Sequence, residues 1–204
     1  MTKYNYIIDA GHGGIIDGVY QTAGKRSPLH EGQKLIYEGV NNRINAALII
    51  DELMSRNIQC TYLTPTDIDT SLSERVRRVN NINSSKKSIL ISIHSNAAGN
   101  GREWANASGI SLHIAPNHSK TTQEFTDLLW SEIKCEFDGL TKFRGIRQNN
   151  FTMVSRTHCP AVLCEYGFHD NLKEAQLMLT DTWREKLVNS VVNTITLFET
   201  FLCK

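Results

Sequence analysis

Two histidines follow apolar runs that have the composition of buried strands. His94 closes the run Ser88-Ile-Leu-Ile-Ser-Ile93, and His12 follows Tyr6-Ile-Ile-Asp-Ala-Gly11. Both runs are short, rich in β-branched residues and without a helical period, which is typical of buried strands. Because open α/β sheets bind ligands outside the carboxyl ends of their strands, we expect both imidazoles at one edge of a sheet. Two histidines at one edge are a candidate metal site.

Two glutamates are the main acidic candidates beside these histidines. Glu165 ends the apolar run Pro160-Ala-Val-Leu-Cys164, so it is a third titratable residue at a strand end. Glu38 lies in the first turn of a helix predicted over residues 37–56. A carboxylate there either complements the helix dipole or projects to the sheet edge as a metal ligand, and its position alone leaves both interpretations open.

An incomplete match to a zinc-binding motif precedes that helix. His30-Glu-Gly-Gln-Lys34 begins like the H-E-x-x-H zinc helix, but Lys34 replaces the second histidine and Gly32 disfavours a helix. We therefore reject this stretch as a zinc helix. Glu31 remains an alternative to Glu38 for the acidic ligand.

This set of side chains suits the hydrolysis of an amide. Two imidazoles and one carboxylate with an open fourth position are a known catalytic zinc set, and the metal lowers the pKa of a water in that position to about 7. A carboxylate that does not bind the metal can take the proton and return it to a leaving amine.

The elements that must position these residues alternate along the chain. Strands and helices in turn indicate an α/β fold, with a mostly parallel twisted sheet of about five to six strands and helices on both faces. Within it, 109–115 reads as a half-buried strand in which His113 is a structural or surface residue, and 15–34 and 138–156 read as loops. The first helix is expected to bury the stripe Val40, Ile44, Ala47 and Leu48. The predicted strands are 4–9, 59–63, 88–93, 109–115 and 160–168. The other predicted helices begin at Ser71 and Asn171 or carry the stripes 125–137 and 183–198.

Composition and charge narrow the possible functions. The 204 residues carry 22 basic and 21 acidic side chains, a net charge of +1, which gives no bulk argument for binding nucleic acid or an anionic membrane. The basic pairs 25–26, 77–78 and 86–87 are expected to be solvated surface. No apolar run approaches the roughly 20 residues of a membrane span, and no signal peptide is evident, so we expect synthesis in the cytoplasm. Five cysteines leave one unpaired and favour reduced thiols.

Five fragments in order resemble the zinc-dependent N-acetylmuramoyl-L-alanine amidases of the amidase-3 type. The likeness spans nearly the whole chain, and five modest matches in the right order are specific together. A finer likeness, to phage endolysins of this type, lies in the first loop at residues 23–28 (Ala-Gly-Lys-Arg-Ser-Pro). The five fragments are residues 9–14 (Asp-Ala-Gly-His-Gly-Gly), 38–43 (Glu-Gly-Val-Asn-Asn-Arg), 69–75 (Asp-Thr-Ser-Leu-Ser-Glu-Arg), 92–97 (Ser-Ile-His-Ser-Asn-Ala) and 160–168 (Pro-Ala-Val-Leu-Cys-Glu-Tyr-Gly-Phe).

The resemblance implies a role for each candidate residue. His12, Glu38 and His94 would bind one Zn²⁺, and Glu165 would be the catalytic acid and base. The substrate would be peptidoglycan, cut between N-acetylmuramic acid and L-alanine of the stem peptide. Two further residues, Asn96 and the arginine at 147, are predicted to contact the substrate only because they lie near these residues in the sequence.

The resemblance also implies a biological setting. We expect residues 1–204 to form a single catalytic amidase domain without a separate wall-binding module, acting as a monomer on the cell wall after holin-type release, for host lysis or wall remodelling. Neither nucleic acid nor membrane insertion is expected.

Two other functions remain open at this point. A zinc carboxypeptidase or endopeptidase that cuts within the stem peptide would need the same ligands. A module that binds muropeptides without cutting them is the third reading, and the presence of all four key side chains argues against it.

Overall fold

A six-stranded sheet forms the centre of the molecule, which we describe from a computed structural model covering residues 2–29, 32 and 34–202. The strands lie in the order β4-β1-β5-β8-β6-β7, and a separate hairpin pairs β2 with β3. The strands are β1 (Asn5–Ala10), β2 (Ile15–Ile16), β3 (Val19–Tyr20), β4 (Cys60–Tyr62), β5 (Ser88–Asn96), β6 (Ile110–Ile114), β7 (Phe143–Gln148) and β8 (Ala161–Phe168). The helices are α1 (Glu38–Ser55), α2 (Leu72–Ser85), α3 (Lys120–Glu136), α4 (Thr152–Ser155), α5 (Leu172–Met178) and α6 (Asp181–Leu197), which a π-helical turn (Phe198–Leu202) extends.

Parallel pairing brings the carboxyl ends of three central strands to one edge. β1 and β5 are parallel, and so are β5 and β8, with His94 beside Glu165 in the register. β6 runs antiparallel to β8, and this is the one antiparallel pairing within the six-stranded sheet of the described residues. The predicted mostly parallel α/β sheet is therefore confirmed, and residues that follow β1, β5 and β8 meet at a common edge.

Helices cover both faces of the sheet and enclose two apolar clusters. The larger cluster packs α1, α3 and α6 against one face and includes Tyr6, Ile91 and Trp183. The smaller cluster packs α2 and α4 against the other face around Leu90 and Val79. Each large apolar side chain that is fully buried contributes about 1.5–3 kcal/mol relative to exposure, so these layers fix the frame that carries the edge residues.

Two segments that we expected to be loops contain regular structure. The stretch 15–34 includes the β2–β3 hairpin, and 138–156 includes β7 and α4. β7 was missed because its sequence, Phe-Arg-Gly-Ile-Arg-Gln, carries two arginines and a glycine instead of an apolar run. The strand lies at the edge of the sheet, where charged residues are common because they discourage pairing with other chains.

Two burial predictions were wrong. β6 is buried at all five positions, not half-buried, because α3 packs on one of its faces and α4 on the other. On α1, Ile44 and Leu48 are 41% and 40% exposed, whereas Ala46, Ile49 and Leu53 are buried. The apolar stripe was misplaced because the first half of α1 buries polar residues against the loops of the sheet edge.

The predicted helix starts are confirmed by their caps. The Ser71 hydroxyl accepts a hydrogen bond from the Glu74 N–H, and the Asn171 side chain accepts one from the Glu174 N–H. Among the described helices, none combines the length and apolar character that a membrane span requires. Cys60, Cys135, Cys159 and Cys164 are free thiols, while Cys203 lies outside the described residues.

Candidate metal centre and active site

Buried arginines hold the backbone that carries His12. This residue follows β1 in the left-handed conformation, with φ of 66°. Its carbonyl accepts hydrogen bonds from Arg43 Nη1 at 2.7 Å and Arg75 Nη2 at 2.8 Å. A non-glycine residue in this region costs on the order of 1 kcal/mol or more and persists where its surroundings over-determine it. Because the arginines come from α1 and α2, two helices fix the same peptide group and so the position of the imidazole.

A buried ion pair ties one of these arginines to the sheet. Arg75 Nη1 contacts Asp9 Oδ1, and Asp9 Oδ2 accepts a hydrogen bond from the Ser92 hydroxyl at 2.6 Å. α2, β1 and β5 are therefore joined directly below the site. Removing one partner of a buried ion pair typically costs 3–5 kcal/mol of stability, so we expect this pair to hold the strands and helix below the site in place.

Two glycines allow neighbouring elements of the site to pack closely against each other. A Cβ at Gly11 would lie 2.1 Å from Cε1 of His94, and a Cβ at Gly39 would lie 1.9 Å from the carbonyl oxygen of Gly13. Only glycine permits such approaches. The first brings the His94 ring against the end of β1, and the second brings α1 against the loop that follows it.

Glu38 lies between the two histidines and contacts both of them. The structure brings its carboxylate to the sheet edge, with His94 Nδ1 3.1 Å from Oε1 and His12 Nε2 3.2 Å from Oε2. The Ser95 N–H also donates to Oε1 at 3.2 Å. Burial raises the pKa of Glu38, but hydrogen bonds and charge from the two imidazoles outweigh burial and hold it well below the ordinary range. The side chain is therefore a buried carboxylate anion.

The donor atoms have the spacing of a metal site. Among the described residues, one group of three or more histidine, cysteine or acidic side chains has its ligand atoms within 4.8 Å of one another, namely His12, Glu38 and His94. Ligands about 2.0–2.2 Å from a tetrahedral Zn²⁺ lie roughly 3.3–3.6 Å from each other. His12 Nε2 lies 3.2 Å from Oε2 of Glu38 and His94 Nδ1 lies 3.1 Å from Oε1, so each imidazole is close to one carboxylate oxygen. Two imidazoles and one carboxylate therefore fit zinc in both chemistry and spacing.

Glu165 lies on the wall of the same site but in a different environment. It is the Cα partner of His94 on one side and of Ser111 on the other. Its Oε2 is buried and has no hydrogen-bond partner. Burial raises the pKa of Glu165 from 4.5 to about 7, against a lowering effect of His94. The group is thus able to gain and lose a proton near neutral pH.

His169 is a third histidine at this edge, and unlike His12 and His94 it is fully buried; it was not predicted from the sequence. It follows β8 directly, and its Nδ1 lies 3.0 Å from the Ser95 hydroxyl and 3.9 Å from Glu38 Oε2. Burial lowers its pKa, so the ring is neutral near pH 7. The signal was present in the sequence, because His169 follows an apolar strand in the same way as His12 and His94 do.

A cavity of about 430 Å³ opens over these groups. Its lining includes the three candidate ligands together with Glu165, Lys25 and Asn96. Leu72 and Phe151 form apolar walls although they are 54% and 42% exposed. The site therefore combines acid–base groups, one ammonium group and apolar contact surface. Lys25 is exposed, as expected for its basic pair, and it also lines the cavity.

The remaining candidate residues lie elsewhere. Arg147 is exposed on the edge strand β7 and is not among the residues that line the cavity, so its contact with substrate stays a prediction. Glu31 lies outside the described residues. His113 is buried, with Nδ1 2.6 Å from the Asn149 side chain, which agrees with a structural role.

Fold and donor set together are those of an α/β protein with a candidate metal centre for hydrolysis. The sequence pattern of the N-acetylmuramoyl-L-alanine amidase family matches residues 7–197, and the chain belongs to this family. The crystal structure of an N-acetylmuramoyl-L-alanine amidase from Clostridium difficile 630 superposes with a TM-score of 0.80 at 26% identity, covering 98% of this chain and 99% of that one.

Curated relatives are similar over most of this chain but are longer. N-acetylmuramoyl-L-alanine amidase CwlM of Bacillus licheniformis is 27% identical over 186 residues, which is 91% of this chain and 65% of the relative. The probable cell wall amidase LytH of Staphylococcus aureus is 23% identical over 192 residues, which is 94% of this chain and 57% of the relative. The chain thus spans less than two thirds of either protein.

Proposed function

We propose that this protein hydrolyses the amide bond between N-acetylmuramic acid and L-alanine in peptidoglycan, with Zn²⁺ held by His12, Glu38 and His94. The observation that carries the proposal is the convergence of these three donors, within 4.8 Å, beside the unpartnered carboxyl of Glu165. Membership of the amidase family identifies the bond.

The residues around the metal have separate tasks. When bound, zinc supplies a Lewis acid that polarises a carbonyl oxygen and lowers the pKa of a water. Glu38 contributes the negative charge of the ligand set, and the Ser95 N–H fixes its Oε1. Arg43 and Arg75 hold the peptide group of His12, so the ligands are positioned before the metal arrives.

Glu165 moves the proton. Its pKa of about 7 allows the carboxylate to take a proton from the attacking water and to hold it at Oε2. The same group then donates that proton to the nitrogen of L-alanine as the amide bond breaks. General acid–base catalysis by a positioned side chain contributes typically 10²–10⁴-fold. Asn96, which lines the cavity, is the proposed contact for the polar backbone of the substrate.

Product identification separates the amidase from the alternatives. Purified sacculi are digested with the zinc-loaded protein and the soluble products are analysed by mass spectrometry. The amidase releases peptides that begin with a free L-alanine amine. Shortened peptides still attached to the sugar would indicate a carboxypeptidase or endopeptidase, and intact sacculi that retain the protein would indicate a binding module.

The finer proposal is a phage-type lysin that leaves the cytoplasm through a holin-type pore, and it rests on the endolysin-like Gly-Lys-Arg-Ser-Pro stretch at 24–28. Expression with and without a holin in a susceptible host tests it. Lysis that requires the holin supports this role, whereas lysis independent of the holin contradicts it.

A further inference from the structure

The proposed role of Glu165 determines which part of the substrate lies in which cavity. Two cavities meet there, one of about 430 Å³ and one of about 410 Å³, and both are lined by His12 and His94. Glu165 lines the first, whereas Asp69 and Ser71 line the second. Since Glu165 must deliver its proton to the leaving nitrogen, the stem peptide lies in the first cavity. The lactyl group and the sugar then extend into the second.

Lys25 places a positive charge on the peptide side. It is the only lysine or arginine among the described residues that line the first cavity. Within residues 2–29, 32 and 34–202, no carboxylate lies at ion-pair distance from its ammonium group. The ammonium lowers the pKa of both Glu165 and His169, which indicates that its charge acts inside the site.

The backbone of Lys25 is fixed to the metal centre although its side chain is exposed. Its carbonyl oxygen accepts hydrogen bonds from the Glu38 N–H at 2.9 Å and from the Tyr20 hydroxyl at 3.0 Å. The Tyr20 hydroxyl also accepts one from the Gly39 N–H at 2.9 Å. The charged side chain therefore leaves a point that moves together with the start of α1.

We propose that Lys25 binds a free carboxylate of the stem peptide close to the scissile amide and thereby selects acidic stems over amidated ones. In peptidoglycan the second stem residue is a D-glutamate linked through its side-chain carboxyl, which leaves its α-carboxylate one residue from the bond that is cut. Some cell walls carry a neutral carboxamide in this place. A charge-assisted hydrogen bond from an ammonium distinguishes the two groups because the carboxamide carries no charge. This inference rests on the proposed amidase activity and specifies its substrate.

Paired substrates test the proposal. Disaccharide peptides with either an α-carboxylate or a carboxamide at the second residue are compared at low salt. The wild-type protein is expected to favour the carboxylate by roughly tenfold in kcat/KM, and the preference should shrink as salt screens the charge. In Lys25→Met the ratio falls to near one, whereas Lys25→Arg keeps part of it. Lys87→Met, an exposed lysine before β5 at the opposite end of the strand, should leave the ratio unchanged.

A binding measurement separates this proposal from the identity of the bond that is cut. The tripeptides L-alanyl-γ-D-glutamyl-L-lysine and its α-carboxamide are titrated into the zinc-loaded protein by calorimetry. Tighter binding of the acidic peptide, lost in Lys25→Met, supports the role of Lys25 whichever bond the enzyme hydrolyses. Equal binding of the two peptides, or a preference that survives Lys25→Met, overturns it. Failure to release L-alanine peptides from sacculi would instead contradict the amidase proposal.

Discussion

Two glutamates share one cavity but have opposite surroundings. Glu38 lies at the start of α1 with both oxygens contacted, by His94 and the Ser95 N–H on one side and by His12 on the other. Glu165 lies on β8 with Oε2 buried and without a partner. Burial opposes ionisation of Glu38, but hydrogen bonds and charge from the two imidazoles hold its pKa low, whereas burial raises the pKa of Glu165 to about 7.

The difference in pKa between Glu38 and Glu165 indicates a different role for each glutamate. A carboxyl that stays ionised among imidazoles suits a metal ligand, and a carboxyl with a pKa near 7 suits a group that gains and loses a proton during turnover. Environments that push the pKa values of two acids apart are a general sign of a divided acid–base and charge-stabilising function. The following predictions test that division.

Removing the charge of Glu38 should have the largest effect. Glu38→Gln loses the anionic ligand, so we expect zinc affinity to fall by at least about 10²-fold, beyond the loss typical for residues that only support a ligand, and activity to disappear with it. Metal analysis after dialysis and turbidity assays on cell walls measure both. Glu124→Gln on α3 is the control, since this glutamate pairs with Lys120 and does not line the cavity.

Removing the proton carrier should separate chemistry from metal binding. Glu165→Gln should retain one zinc per chain and lower kcat by roughly 10²–10⁴-fold, because the leaving amine loses its proton donor. Activity and metal content are measured on the same preparation. A variant that hydrolyses sacculi at the wild-type rate would remove Glu165 from the mechanism.

Removing one hydrogen bond that holds the His12 backbone should lower zinc affinity less than Glu38→Gln does. Arg43→Met removes one of the two guanidinium groups on the His12 carbonyl, and we expect zinc affinity to fall by about 10–100-fold with a fold that remains intact. Competition with a fluorescent chelator measures the affinity. Arg56→Met, at the exposed end of α1, should leave it unchanged, and an equal loss in both variants would contradict the specific role of Arg43.

The smallest expected effect is on stability, and it should depend on pH. The pKa of Glu165 rises from 4.5 in its ordinary state to about 7 in the folded chain, so the folded chain binds more protons between these pH values. The stability that this group contributes is complete below about pH 4.5 and is lost as pH rises through 7.

Glu165→Gln should therefore stabilise the metal-free protein at pH 8 by on the order of 2 kcal/mol, and by progressively less towards pH 4. Urea unfolding with a chelator present measures this difference. A stability difference that is the same at pH 8 and pH 4 would show that the carboxyl does not titrate as described.

The sequence identified the groups at strand ends because their pattern is local. His12, His94 and Glu165 each follow an apolar run, and parallel pairing gathers such residues at one edge. The role of Glu38 stayed open on residue grounds because a glutamate in a first helical turn has the same local pattern whether it complements a dipole or faces a metal. The contact of α1 with the loop after β1 decides its position, and that contact depends on glycines far apart in the chain.

Other features were missed for related reasons. β7 lacks an apolar run because it is an edge strand, and the buried face of α1 carries asparagines and an arginine instead of a simple apolar stripe. Lys25 looked like ordinary surface because its exposure is real, and only the folded loop places its charge over the cavity. Side chains that depend on a long-range contact were thus the ones that local patterns could not predict.

The most direct test of the central division is a crystal structure of the zinc-loaded protein with anomalous data at the zinc edge. We predict one ion within about 2.0–2.2 Å of donor atoms from His12, Glu38 and His94, with the Glu165 carboxyl outside bonding distance. An ion coordinated by Glu165 in place of Glu38, or bound away from these two histidines, would contradict the account.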